Sequence, residues 1–203
     1  MKRNYLMIRL IGIAFFFFYL NGLMYGQDKN VGFSISPKGG VYNIIGNSFG
    51  TVIGGEVNFF KNKFIYTLEG FQYDDLELFE EPPEQYYQVG FLFGKYIGER
   101  YFRLNYQAGL GAFWGFTRGD KIPGGYFWEY DKKNFMTVGI PLKVGFKFIP
   151  TRFLSIGIDL EANMNLQKKL YMPVISIEIG KLRNKIVKKD KSVQKIVKEL
   201  SKN

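Results

Sequence analysis

From residue 27 to residue 183 the chain is dominated by a period of two. Val31, Phe33 and Ile35 alternate with Gly32, Ser34 and Ser36. Ile53, Val57 and Phe59 alternate with Gly54, Glu56 and Asn58, and Phe64, Tyr66 and Leu68 with Ile65, Thr67 and Glu69. Tyr87, Val89, Phe91 and Phe93 follow the same rule against Gln88, Gly90, Leu92 and Gly94. The fifth segment is the clearest, with Phe102, Leu104, Tyr106, Ala108, Leu110, Ala112 and Trp114 on one face and Arg103, Asn105, Gln107, Gly109, Gly111, Phe113 and Gly115 on the other. Three more segments lie around 136–148, 154–162 and 175–180. Successive side chains of a strand point to opposite faces, so each segment predicts a strand with one apolar face.

The predicted connections alternate in length. Residues 61–63, 97–100 and 149–152 are short turns, whereas 37–50, 73–85, 117–133 and 164–171 are long. That rhythm predicts an all-β fold: an eight-stranded antiparallel up-and-down transmembrane β-barrel with short periplasmic turns and long external loops. A soluble lipocalin-like barrel would also alternate, with its apolar face inside. The polar face here is rich in Gly with few charges, as a narrow lumen requires. Aromatics cluster near strand ends (Phe59, Phe60, Phe64; Tyr96, Tyr101, Phe102; Trp114, Phe116; Phe148, Phe153), where a membrane barrel has interfacial girdles.

The ends differ from the middle. Met1–Arg9 is basic, 10–20 is an uncharged apolar run and 21–26 is more polar, the order of a secretory signal peptide, with cleavage expected after Gly26. The apolar run is short for an uncleaved spanning anchor, the alternative reading. Residues 184–203 place Ile186, Val193, Ile196, Val197 and Leu200 at helical spacing among lysines, which reads as a short basic C-terminal amphipathic helix or a solvated periplasmic terminus. The formal charge of +10 belongs to these ends, because 27–180 carries equal numbers of acidic and basic residues. The domain thus has no basic face for nucleic acid. With neither Cys nor His in the chain, disulfides, thiolate chemistry and the commonest metal ligand and general base are excluded, and no cofactor is expected.

The run Gly139-Ile-Pro-Leu-Lys-Val-Gly-Phe-Lys-Phe148 and the run Ser155-Ile-Gly-Ile-Asp-Leu-Glu-Ala-Asn163, together with the signal peptide ending before Gln27, resemble the small outer-membrane β-barrels of Bacteroidetes-type bacteria, the PorT-like or OmpA-type group. The resemblance covers roughly 27–183 and implies an outer-membrane address more than an activity. Barrels of this kind often end on an aromatic residue, whereas this chain continues past Gly180. Small barrel enzymes that act on lipid A resemble one another in pairing His with Ser, which this chain cannot do, and no Ser–Lys arrangement is apparent in sequence. A non-enzymatic barrel with a structural, adhesion or partner-binding role is expected. A narrow solute pore or secretion accessory is the alternative.

In such a barrel Glu56, Glu69, Arg103, Lys143, Lys147, Asp159, Glu161 and Glu178 face the lumen, where charges must pair. Lys143 and Asp159 lie symmetrically about the 149–152 turn and are expected to form a salt bridge. The 73–84 segment holds six acids and reads as a solvated loop, lacking the pattern of a calcium loop. Tyr126, Phe127, Trp128 and Tyr130 on the 117–133 loop suit either a partner or glycan contact or the lipid interface. Outer-membrane lipid is the expected partner, with a periplasmic protein or an anionic cell-wall polymer on the basic tail.

Overall fold

The computed structural model describes residues 31–45, 48–76, 83–98, 101–122 and 130–182. The expected signal helix, the tail at 184–203 and loop residues Tyr126, Phe127 and Trp128 lie outside them. Eight strands follow in order: β1 Val31–Ile44, β2 Ser48–Lys61, β3 Phe64–Asp75, β4 Gln85–Ile97, β5 Phe102–Lys121, β6 Tyr130–Phe148, β7 Leu154–Asn165 and β8 Leu170–Lys181. Each pairs antiparallel with its sequence neighbour, and β1 pairs with β8, for example Ile35 with Ile179, closing the barrel.

The period-two pattern resolves into an inverted barrel. Phe91, Leu110, Val144, Ile158 and Ile175 are exposed on the outer wall, whereas Ser34, Lys38, Glu56, Arg103, Asp159 and Glu178 are buried inside. So continuous an apolar surface is stable only against hydrocarbon. From Phe102 to Trp114, β5 climbs about 30 Å along the barrel axis at ~3.3 Å per residue and a tilt of ~40°, which matches the apolar thickness of a bilayer. Stacked rings mark both levels: Phe102 with Phe146 at 5.6 Å and Tyr87 with Trp114 at 5.9 Å. Two of the expected girdle rings are instead inside. Phe60 is buried with Tyr96 beside it, 5.9 Å between centroids, because both fall on the inward parity of their strands.

The turns explain further departures. Between β2 and β3 only Asn62 and Lys63 intervene, both at positive φ (50° and 69°), the two-residue turn whose twist matches the strands. Strands run further than the pattern predicts, so the connections shrink to 45–47, 76–84, 122–129 and 166–169. Pro37-Lys38-Gly39-Gly40 reads as a turn yet continues β1. At Gly40 an added Cβ would collide with the Pro173 carbonyl of β8, so glycine there permits close pairing and does not mark a bend.

Candidate functional site

The interior has two tiers. Toward the short turns it is ionic. Lys38, from the stretch of β1 that resembles a turn, is its hub: Nζ lies 2.7 Å from Glu56, 2.8 Å from Asp159 and 2.5 Å from Glu161. Lys143 reaches across the lumen to Glu56 at 2.5 Å, and Lys147 holds Asp159 at 2.7 Å. Arg103 pairs with Glu178, to which Ser34 also donates at 2.6 Å, and its guanidinium lies 4.6 Å from the centroid of Phe60. Gln88 donates to Glu69 at 2.7 Å while accepting from Tyr73 and Asn163. All eight lumen residues named from sequence are buried here.

The expected Lys143–Asp159 bridge does not form. In the register Lys143 faces Glu161, and Gly145 faces Asp159. The connection is longer than 149–152 suggests. Ile149 turns inward, its N–H donating to the Tyr101 carbonyl, and Thr151 Oγ1 accepts from the N–H groups of Phe153 and Leu154, so pairing resumes only at Leu154. Moving the turn centre by one residue re-pairs the whole hairpin.

Two groupings in this tier have the spacing of known chemistry, and both are engaged in its ion pairs and hydrogen bonds. Oxygens of Glu56, Glu69 and Glu161 come within 4.8 Å of one another, a spacing that suits a metal ion. Two of the three, Glu56 and Glu161, are already paired with the Lys38 ammonium. A Ser–Lys contact, invisible in sequence, also exists: Lys147 Nζ donates to Ser176 Oγ at 2.5 Å. The Ser176 hydroxyl donates onward to the Gly157 carbonyl and Lys147 is also held by Asp159, so both groups are engaged within the buried tier.

Toward the long loops the lumen turns apolar. Tyr42, Phe71, Tyr73, Tyr86 and Phe113 pack with Val52, Leu170, Met172 and Val174, and Phe135 closes on them. Tyr42 meets Tyr73 edge-on at 5.3 Å, and Tyr86 stacks on Phe113 at 5.7 Å. Sequence reasoning missed this plug, although Phe113 stood visibly on the polar face of β5.

Glu84 caps the plug and is no solvated loop residue. Its carboxylate accepts from Thr117, from Tyr86, from the backbone N–H of Arg118 at 3.0 Å and from Lys168 at 2.6 Å. Lys168 is positioned by an Asx turn, in which Asn165 Oδ1 accepts from the N–H groups of Gln167 and Lys168. Burial alone would raise the Glu84 carboxyl, but these donors outweigh it and hold it at about 2. The unfolded value is ~4.3, so the contribution is complete above pH ~4.3 and lost as the pH falls toward 2. Urea midpoints of wild type and Glu84→Gln should therefore differ at pH 7 and converge near pH 2. A difference that persists at pH 2 would contradict the assignment.

Fold and interior together define a class, the small eight-stranded barrels of the outer-membrane type. The barrel is similar to the N-terminal β-barrel domain of Pseudomonas aeruginosa OprF (TM-score 0.56, 13% identity, 73% of this chain and 96% of that one). It is likewise similar to Neisserial surface protein A (0.56, 8%, 73% and 96%) and to Ail, the attachment invasion locus protein of Yersinia pestis (0.51, 15%, 76% and 99%). At these identities the likeness is one of fold. No family model and no curated protein matches the chain by sequence.

Proposed function

We propose that the protein is a non-enzymatic barrel of the outer membrane that works through contacts made at its long-loop end and passes no solute. The observation that carries this reading is the double seal of the lumen, an ionic tier below an aromatic plug. The chain has no His, and among the described residues Ser176 is buried and already engaged with the Gly157 carbonyl. The fold is shared with a protein named for attachment and invasion, which makes surface contact a natural role for this scaffold.

The full chain reconstituted in planar bilayers should conduct no more than lipid alone. Discrete unit steps would overturn the sealed-lumen reading in favour of a narrow pore. Membrane fractionation with a heat-modifiable gel shift tests the address: recovery of the folded band in a soluble fraction would remove the barrel from the membrane.

A further inference from the structure

The outer wall is not evenly ridged. Across β2 to β5 it holds a groove of about 360 Å³ lined by Ile53, Gly70, Gln72, Tyr87, Val89 and Trp114. Gly70 forms the floor, and its partner across the β2–β3 ladder is Gly55, so two neighbouring strands are bare of side chains there. Strand pairing does not require the bare floor: a Cβ on Gly70 would meet the Gln88 carbonyl oxygen at 3.8 Å, an ordinary contact. One wall is flat, made by the stacked rings of Tyr87 and Trp114, with 22° between their planes. Two residues beyond Gln72 toward the long loops, Asp74 stands on the same face of β3. Its carboxylate accepts from the carboxamide of Gln72 at 2.9 Å and from that of Gln85 at 2.8 Å, both neutral donors.

We infer that this groove seats one acyl chain of a phosphatidylethanolamine-type lipid, with the primary ammonium of its head on Asp74. The inference goes beyond the contact role proposed above and rests only on the membrane address. The groove is continuous with the hydrocarbon-facing wall, which makes an acyl chain its occupant. A chain lying across ridged side chains touches them on one side. A chain lying against Gly70 meets the floor and both walls, and dispersion attraction grows with every added contact.

Height and charge select the head. Tyr87 belongs to the upper aromatic belt. Gln85 lies two residues beyond it, ~5 Å further toward the loops at ~3.3 Å per residue and ~40° of tilt. Asp74 is the ladder partner of Gln85, so its carboxylate stands where lipid heads stand. Two amides hold it in place without neutralising it. A carboxylate so placed is complementary to a cation that bears N–H donors and repels a purely anionic head. A choline head has the same positive charge but no N–H to donate, so the site discriminates between the two zwitterionic heads.

The test uses the full chain in phosphatidylcholine vesicles, with Trp114 as reporter. Trp128→Phe is the common background, because the chain has two tryptophans. Lipids brominated on their chains quench Trp114 when they occupy the groove. Brominated phosphatidylethanolamine should associate about threefold more tightly than brominated phosphatidylcholine, the ratio an ion pair at a surface supplies. Asp74→Asn should bring the two lipids to the same value. Gly70→Leu fills the floor and should lower quenching by both, whereas Ala108→Leu, the same bulk on the exposed outer wall of β5, should change neither. Equal association of the two lipids with the background chain would overturn the ammonium site. Unchanged quenching in Gly70→Leu would overturn the groove. Exclusion of both lipids from Trp114 would mean that a second copy or another protein covers this wall, and would overturn lipid occupancy. The heat-modifiable band in the vesicle fraction records the membrane address separately, so a failed address is distinguishable from a failed lipid site.

Discussion

Replacing Lys38 with methionine is expected to destabilise the folded barrel by about 3–5 kcal/mol, the usual consequence of removing one partner from a buried ion pair. The ammonium is the shared neighbour of three buried carboxylates, at 2.5–2.8 Å. After its loss Glu56 still has Lys143 and Asp159 still has Lys147, but Glu161 keeps no ion pair of comparable distance among the described residues. The double variant Lys38→Met, Glu161→Gln should therefore recover much of the loss, whereas Lys132→Met on the exposed hairpin should change stability by less than ~0.5 kcal/mol. Urea midpoints in lipid vesicles, read from the heat-modifiable band, measure all three. A Lys38→Met barrel as stable as wild type would show that the hub is not what holds the ionic tier together.

The aromatic tier carries the second large effect. Phe113→Ala should cost about 3–5 kcal/mol, because a fully buried ring packed on Tyr73, Tyr86 and Phe135 leaves a cavity that rigid barrel walls cannot collapse to fill. Tyr86→Ala removes a ring and also a donor to Glu84, so its cost should be at least as large. The two rings share one cavity, so the double variant should lose less than the sum. It should still conduct nothing in planar bilayers, because the Lys38 tier lies beneath. Additive losses would mean that the rings are independent, and unit conductance in the double variant would show that the plug is the sole seal.

How much of this was legible in the sequence depends on range. Parity in a strand is local: Glu56, Glu69, Arg103, Lys143, Lys147, Asp159, Glu161 and Glu178 could be assigned to one face by counting in twos, and the outer wall followed from the same count. Lys38 was hidden because Pro37 and two glycines beside it imitate a turn. What makes that stretch a strand is its pairing with β8, more than 130 residues away in the chain. Glu84 looked like one acid among six, and only Lys168 from another loop and Thr117 from another strand give it its role.

The sequence by itself determined the architecture: eight strands, the parity of each face and the absence of His and Cys chemistry, because these follow from local periodicity and composition. Only the tertiary structure decided which charges meet, since barrel closure places Lys38 of β1 against Glu161 of β7 and Lys143 of β6 against Glu56 of β2. It also decided that an ionic tier and an aromatic cluster stack inside the lumen. These outcomes depend on register, and register is set by where a turn such as 149–153 places its centre, a property of backbone hydrogen bonds that the pattern of side chains does not record.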